Sequence, residues 1–591
     1  MLRTLFLSVC CLACSIAIGA EPPNFQPWGG AAVSDWSSAK QSIMVSDMAR
    51  SIPASALSIM KLKKGCWKVI PYEMRGGPTG NMVFAAPEAN TPELTLPLGV
   101  EKPGWYAIFV SLYSVSAIDS LAWLRLDDEP AAVNRQNRAG SYGMSEEVFF
   151  KVAKLDENSR LHIAQQNSGT VCSCGVTHVR LIPLSTEEVR RFEIDRRDKS
   201  HRNMITTIDG FSFFYTRSPR TAAEVLREVE ILRDTDVGTL ILHTPGADKT
   251  NHPTKVGHMK AEGVELFPTI GDRHYAESTR ALAAKNINPV KVLIDGAHDM
   301  GIKVHVGIRP AGWSFWEPYT DYWEPPFYRD NPQWRCIDRD GTPVTRMSWA
   351  VPQVRKHLID VLREQVRFGA DGANIVFNRG YPVVLYEPPA VAVFRNKHGI
   401  DPRTIPESDP RITKWWSDIV TGFFLELRAM LDEEEAARSD GKHLELSITV
   451  LGTPGDDLRF GVDIQQLVKE KLVDEITTML GFGRKSNTYD LPLLKKVCQE
   501  GKIPFYGGVS HHTAYPKIPS FYSGGAKGVA VWDAGVGDIF EWAWVSRFGH
   551  AEETAWRLKN LQMDKPPRSR YQFHKLGDQI RDSRFGPYWG G

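Results

Sequence analysis

Four carboxylates follow strand-like runs between residues 203 and 561 or lie in the loops between them. Asp209 and Asp533 end two such runs, Asp330 lies in a long loop, and Glu387 follows the run Asp371–Gly380. Two carboxyl groups on either side of a glycosidic bond can cleave it, one as proton donor and the other as nucleophile or base. Burial among aromatic rings raises the pKa of the donor. We predict Glu387 as acid/base with Asp533 as its partner, followed by Asp209 and Asp330.

Other polar and aromatic side chains stand at the same ends of predicted strands or in the following loops. Singly, a strand-end Asp is often a helix cap and a lone His is usually a core residue. Together they predict one binding mouth. The candidate substrate-binding residues are His243, Arg309, Trp313, Asn378, Arg379, His511, His512 and Trp532.

Eight strand-like runs, most of them separated by helical patterns, extend from residue 203 to residue 561. This order predicts an α/β protein with a (β/α)8 TIM barrel, whose chemistry lies at the carboxyl ends of the strands. A doubly wound sheet is the competing topology. The predicted strands are Met204–Asp209, Thr239–His243, Lys303–Arg309, Asp371–Gly380, Leu444–Val450, Glu475–Leu480, Pro504–Val509 and Gly528–Asp533.

Residues alternate along these strands in the way that a closed barrel requires. In the fifth strand, Glu445, Ser447 and Thr449 share one face and aliphatic residues share the other. In the fourth, Asn374 alternates with Ile375. We expect the polar face to line the lumen and the aliphatic face to pack on helices.

The segment before the barrel has a different pattern. Residues 27–184 contain short strand-like runs punctuated by Gly, Pro, Asn and Asp, which predicts an N-terminal β-sandwich. A carbohydrate-binding module and a purely structural domain are both consistent with it. Ser185 to Glu188 form a capping-box pattern at the start of a basic linker, residues 185–202, whose charges we expect to face solvent. Residues 562–591 form a C-terminal tail of unassigned role.

Residues 1–20 have one cation, an apolar run and small residues at the end, as a secretory signal peptide does. We predict cleavage before Glu21 and a secreted or periplasmic protein; lipoprotein anchoring through Cys14 is the less favoured alternative. No membrane span is predicted. A net charge of +1 gives no indication of nucleic-acid binding.

The loop after the third predicted strand is long and rich in aromatic and acidic residues. It includes Trp313, Phe315, Trp316, Tyr319 and Trp323. Long loops of this kind are usually functional, and aromatic rings stack on the faces of sugars. The alternative is a satellite core that holds the loop on the barrel, and we expect about half of the rings to serve it.

Several motifs are shared with one group of barrels. The motifs are Phe327–Trp334, Asp338–Gly341, Trp349–Arg355, Phe368–Gly372, Arg379 and Tyr386–Pro388. In these motifs the chain resembles the secreted glycoside-hydrolase-like barrels related to glycosyl-hydrolase-like family 10. The resemblance covers roughly 204–561 and implies a carbohydrate substrate. One position departs from the resemblance, because relatives often carry an acidic residue where this chain has Val376. We therefore take Glu387, or another carboxylate at a strand end, as the candidate for the catalytic acid that the fourth strand lacks.

Three hypotheses about function follow. The first is a glycoside hydrolase acting on a polysaccharide or oligosaccharide, with no cofactor. The second is a glycan-binding barrel without catalysis, which Val376 supports. The third is a metal-dependent hydrolase using His243, His305, His511 and His512; it ranks last because the first strand lacks a His-x-His motif. The sequence indicates neither the sugar, nor the stereochemistry of cleavage, nor the oligomeric state.

Overall fold

The computed structural model describes residues 32–115, 120–137, 143–479, 488–509, 512–533, 542–560 and 569–580. Eight parallel strands form a closed barrel, in which the last strand pairs with the first. The predicted barrel is therefore confirmed, and the doubly wound alternative is wrong. The strands are β1 Met204–Ile208, β2 Val237–His243, β3 Lys303–Ile308, β4 Gly372–Val376, β5 Glu445–Val450, β6 Glu475–Thr478, β7 Phe505–Val509 and β8 Gly528–Val531.

The alternation along the strands places polar groups in the lumen, as predicted. Asn374 Nδ2 donates to Ser447 Oγ at 2.8 Å, and Thr449 Oγ1 donates to Asn374 Oδ1 at 3.2 Å. An apolar cluster that includes Ile241, Val376 and Trp532 fills another part of the lumen. The lumen is thus a packed layer that supports the residues at the strand ends.

Helices surround the barrel, and two of them are Ile270–Ala284 and Pro388–His398. The other barrel helices are Ser212–Arg217, Ala222–Glu230, Pro289–Asp299, Thr320–Trp323, Pro326–Arg329, Pro352–Val366, Pro410–Ala437, Pro454–Leu458, Ile464–Lys469, Leu491–Gly501, Ile518–Ser523, Trp542–Val545 and Ala551–Asn560. Short 3-10 helices span Val33–Asp35, Ala39–Gln41, Met48–Arg50, Ala54–Ala56, Pro332–Trp334, Phe377–Arg379, Pro402–Thr404 and His512–Lys517. Across the described ranges, no helix is both long and apolar enough to cross a membrane.

The N-terminal region forms two largely antiparallel sheets whose buried side chains share one hydrophobic core, which agrees with the predicted β-sandwich. The larger sheet contains Ile43–Val45, Leu57–Ser58, Trp67–Met74, Thr79–Ala85, Gly104–Tyr113, Met144–Leu155, Cys174–Pro183, Arg570–Leu576 and Gln579–Ile580. The smaller contains Leu94–Pro97, Leu121–Leu126, Val133–Gln136 and Arg160–Ala164. Two strand pairs lie in barrel loops, Lys249–Thr250 with His258–Met259 and Arg335–Ile337 with Pro343–Met347.

The predicted linker contains a helix, Thr186–Arg197, which begins with the expected capping box of Ser185 and Glu188. Its charges do not all face solvent. Asp195 accepts hydrogen bonds from both terminal nitrogens of the buried Arg547, at 2.8 and 3.2 Å. The linker helix is therefore attached to the last part of the barrel through a buried ion pair.

Part of the predicted tail belongs to the N-terminal sheet. Arg570–Leu576 pairs with Trp67–Met74 on one side and with Met144–Leu155 on the other. Phe573 is buried there, with its ring 5.2 Å from that of Tyr113 and 5.9 Å from that of Tyr72. The chain thus returns to its first domain after the barrel is complete.

Replacing Phe573 with Ala should lower the free energy of unfolding of the N-terminal sheet by about 3–5 kcal/mol, because a buried aromatic ring and its contacts are lost. Urea unfolding followed by tryptophan fluorescence measures the change. Ile580→Ala is the control, since Ile580 lies in the adjoining strand and is 66% exposed. Equal stability of the two variants would show that the returning strand contributes little to the domain.

Candidate functional site

A cavity of about 870 Å³ opens at the carboxyl ends of the barrel strands. The strand ends supply its polar part: Asp209 follows β1, Arg309 follows β3, and Asn378 and Arg379 follow β4. The volume lies in the range typical of small-ligand sites. The convergence of these four predicted residues follows from barrel closure, because parallel strands present their carboxyl ends at one face.

Arg309 and Arg379 stack on the same indole. The guanidinium carbon of Arg379 lies 4.4 Å from the ring centroid of Trp532, and that of Arg309 lies 5.9 Å from it. The His243 ring is 5.2 Å from the same indole. Burial and the neighbouring charge of Arg309 lower the pKa of Arg379 to about 10. Trp532 and His243 are not among the described residues that line the cavity; they support the two arginines from below.

Asp209 is the ionised carboxylate of the site. Its Oδ1 accepts from the backbone N–H groups of Phe211 and Ser212, at 2.8 and 2.7 Å, and its Oδ2 accepts from Ser212 Oγ at 2.7 Å. Arg309 Nη2 lies 3.6 Å from Oδ2 and donates to the Asp209 carbonyl at 2.9 Å. Burial raises the pKa of Asp209, but Arg309 and these donors outweigh it and hold the pKa below its ordinary value.

Asp533 is adjacent to Asp209, although it is not among the described residues that line the cavity, and its pKa is shifted in the opposite direction. Its Oδ1 accepts from the Asp209 N–H at 2.8 Å, and its own N–H donates to Thr207 Oγ1 at 2.9 Å. Burial and the charge of Asp209 raise the pKa of Asp533 well above its ordinary value, against the opposing effect of Arg309 and Arg379. Its φ is 46°, a left-handed conformation that costs a non-glycine residue about 1–3 kcal/mol.

Aromatic rings form two walls of the cavity. Phe315, Trp316 and Trp323 come from the long loop after β3, and a second group consists of Tyr381 stacked on Phe460 at 4.5 Å. Trp316 is 71% exposed and its ring centroid is 4.0 Å from that of Phe315. An exposed indole beside a cavity is typical of a ligand-binding surface.

A buried lysine supports the first wall. Lys260 Nζ lies 3.7 Å from the Phe211 ring centroid, 3.8 Å from that of Trp323, and within 4.8 Å of those of Tyr275 and Tyr322. Among the described residues Nζ has no hydrogen-bond partner. Burial holds the pKa of Lys260 well below its ordinary value. The four rings therefore form a box around a single amine, and two of them, Phe211 and Trp323, also line the cavity.

Glu387, the predicted acid/base, does not lie among the described residues of the cavity. It is buried at the start of the helix Pro388–His398, where it accepts a hydrogen bond from Ser348 Oγ and others from the N–H groups of Ile337 and Leu385, at 3.3 and 3.1 Å. Burial raises its pKa. The raised pKa was expected, but the carboxyl is hydrogen-bonded to Ser348, Ile337 and Leu385 and is not among the described residues that line the cavity.

Two more predicted residues have other positions, and the side chains of another two lie outside what the structure describes. Asp330 is exposed and pairs with Arg329 at 3.3 Å. Trp313 is fully buried and stacks on Phe327 at 5.8 Å, so it belongs to the main hydrophobic core. His511 and the side chain of His512 lie outside the described residues.

The cavity also contains residues that the sequence analysis did not select. Asp272 accepts from the Tyr215 hydroxyl and, in a capping box, from the Thr269 N–H at 3.1 Å. The spacing of Thr269 and Asp272, which is that of a capping box, was the sequence signal that could have identified Asp272. Arg346, which also lines the cavity, comes from the strand Pro343–Met347 and had no distinguishing pattern. No group of three or more metal-binding side chains occurs in the part of the chain that the structure describes.

No protein-family model matches the chain. No curated protein matches it either. Among solved structures, it is similar to a cycloisomaltooligosaccharide glucanotransferase from Paenibacillus sp. complexed with cycloisomaltoheptaose, with a TM-score of 0.31 and 13% identity over 76% of this chain and 54% of the other. A ruminal GH26 endo-β-1,4-mannanase gives a TM-score of 0.26 and 9% identity over 89% of this chain and 98% of the other.

The chain thus spans about half the length of the glucanotransferase. At TM-scores below 0.5 these likenesses carry no argument about activity. The resemblance to glycosyl-hydrolase-like family 10 stays a prediction.

Replacing Glu387 with Ala should destabilise the barrel by about 1–3 kcal/mol, because buried N–H and hydroxyl donors lose their acceptor. Thermal unfolding measures this, with Asp330→Ala as the exposed control that should leave stability unchanged. If Glu387→Ala is as stable as the control but loses all turnover of a saccharide, the catalytic role predicted from the sequence is correct after all.

Proposed function

We propose that the protein is a carbohydrate-active barrel enzyme that hydrolyses a glycosidic bond at the mouth of its barrel, and that it acts outside the cytoplasm. One observation carries the proposal. Asp209 and Asp533 are in direct contact at the strand ends, and their environments move their pKa values in opposite directions. Pairs of carboxyl groups with separated pKa values are how enzymes assign the acid and the base of such a reaction.

In this proposal Asp533 is the proton donor. Its Oδ1 is occupied by the N–H of Asp209, so the acidic proton resides on Oδ2. That proton passes to the oxygen of the leaving sugar as the glycosidic bond breaks. A water molecule adds to the anomeric carbon and gives its proton to the carboxylate of Asp209, which balances the hydrolysis.

Asp209 has a second effect on the same step. Positive charge develops on the sugar ring as the bond breaks, and a fixed carboxylate nearby stabilises it. The N–H groups of Phe211 and Ser212 hold Asp209 in place and keep it ionised. No reorganisation is then needed when the charge appears.

The remaining groups of the cavity suit a sugar. Asn378 Oδ1 is buried and has no hydrogen-bond partner among the described residues, so it can accept from a sugar hydroxyl. Trp316 and the stacked Tyr381 and Phe460 offer aromatic rings in two separate groups of the lining. These features favour a flat, hydroxylated ligand held between two aromatic walls.

A glycan-binding protein without catalysis is the second candidate. The observation in its favour is that the donors on Asp209 are those of a helix cap: two N–H groups and a hydroxyl that directly follow it in the chain. A carboxylate used in this way is a poor nucleophile. The absence of an acidic residue at Val376 supports the same alternative.

Asp533→Asn should reduce saccharide hydrolysis by at least 100-fold while leaving saccharide binding intact, because amide and carboxylic acid have the same shape but the amide cannot give up a proton. Reducing-end release from a polysaccharide panel and calorimetric binding measure the two effects. Asp330→Asn is the matched control, exposed and distant from the cavity. Binding by the wild type with no turnover of any saccharide would support the second candidate and reject the first.

The pH profile of hydrolysis should be bell-shaped. Asp209 must be ionised, and because its pKa is lowered the acid limb should lie below pH 3.8. Asp533 must be protonated, and because its pKa is raised the activity should persist well above pH 3.8 and fall as the pH rises through that pKa. Initial rates across the pH range measure both limbs. A falling limb retained in the residual activity of Asp533→Asn would assign it to another group.

A further inference from the structure

Three arginines line the cavity, and they come from different elements. Arg309 follows β3, Arg379 follows β4, and Arg346 lies on the strand Pro343–Met347 of the long loop. The Nε atoms of Arg309 and Arg346 are buried and have no hydrogen-bond partner among the described residues. Buried guanidinium donors without acceptors are costly, and a bound acceptor removes that cost.

The described acidic groups of the cavity do not serve these donors. Asp272 is used by Tyr215 and by the capping box with Thr269. Asp209 is used mainly by its own helix, with Arg309 Nη2 at 3.6 Å from its carboxylate. Asp533 is next to both carboxyl and guanidinium groups, and in the proposed mechanism it is protonated and carries no charge.

The charges of the described lining residues therefore do not balance. Arg309, Arg346 and Arg379 contribute three positive charges, and Asp209 and Asp272 contribute two negative ones. The excess charge is concentrated on planar groups, of which two stack on one indole. A guanidinium plane matches the two oxygens of a carboxylate or sulfate in a way that a single hydroxyl does not.

We infer that the saccharide bound in this cavity is anionic, with a carboxylate or sulfate group held by Arg346 together with Arg309 or Arg379. The inference rests on the proposed function, since it assumes that a saccharide occupies the cavity. The aromatic walls contact the ring faces, and the arginines select for the charge. The hydroxyl groups of a neutral sugar could accept from the buried Nε donors of Arg309 and Arg346, but they would leave the excess positive charge of the lining without a counter-charge.

The test compares an oligogalacturonate with the same oligosaccharide after its carboxyl groups have been reduced to hydroxymethyl groups, so that linkage and stereochemistry are matched. An array of uronate-containing, sulfated and neutral glycans extends the comparison and separates carboxylate from sulfate. Calorimetry at low and high NaCl measures the ionic contribution. Variants Arg346→Gln and Arg379→Gln are compared with Arg329→Gln, an exposed arginine of the same loop.

Acidic glycans should bind at least 10-fold more tightly than neutral ones, and added NaCl should reduce the difference. Arg346→Gln should weaken binding of the acidic ligand by about 10-fold to 100-fold and should change binding of the neutral ligand little. Arg346 Nη1 donates to the carbonyl and the hydroxyl of Thr345, both at 2.9 Å, and circular dichroism of Arg346→Gln checks that the variant is folded. Arg329→Gln, at an exposed arginine, should leave the binding of both ligands unchanged.

Two other outcomes overturn the inference and are distinguishable. Equal or tighter binding of neutral glycans, with no effect of Arg346→Gln or Arg379→Gln, rejects the anionic ligand but leaves the proposed carbohydrate activity intact. Failure of every glycan on the array to bind rejects the proposed function and the inference together.

Discussion

The pairing of β8 with β1 is the contact on which the site depends. It closes the barrel and places Asp533 beside Thr207 and Asp209, although more than 300 residues separate them in the chain. The side chain of Asp533 continues this pairing past the end of the ladder, because its Oδ1 accepts from the N–H of Asp209. A displacement of β8 would separate the two carboxyl groups and remove the electrostatic effect of each on the other.

The charges at the mouth of the barrel form one coupled set. Arg309 lowers the pKa of Asp209, the charge of Asp209 raises that of Asp533, and Arg309 also lowers that of Arg379. The indole of Trp532 contacts both arginines from the lumen side. Asp209, Arg309 and Arg379 remain charged in this partly buried site because each has a neighbour of opposite sign or a polarisable ring.

The N-terminal region is joined to the barrel by the chain segment before the first barrel strand and by the segment after the last. The linker helix Thr186–Arg197 is bound to Arg547 through Asp195, and the strand Arg570–Leu576 returns to the N-terminal sheet. Tyr571 of that strand receives a hydrogen bond from Arg180 at 2.7 Å, in a network with Glu147 and His178. The N-terminal sheet is therefore complete only when the last part of the chain has been added to it.

The barrel could be predicted from the residue patterns, because eight strand-like runs follow one another, most of them separated by helical patterns, and strands such as the fifth separate polar from aliphatic residues. The sequence also determined that Asp209, Arg309, Asn378 and Arg379 meet, since they stand at the ends of strands. It could not place Glu387, whose local pattern is the same whether the following loop turns toward the cavity or packs against Ser348 and Ile337.

Tertiary structure alone decided which charges interact. Arg346 and Lys260 lie in loops with no periodic signal, and their roles come from contacts with distant segments. The direction of each pKa shift likewise depends on burial and on neighbours that are remote in the chain. A strand pattern specifies where a residue stands along its own strand, whereas the chemistry of the site depends on what the closed barrel places beside it.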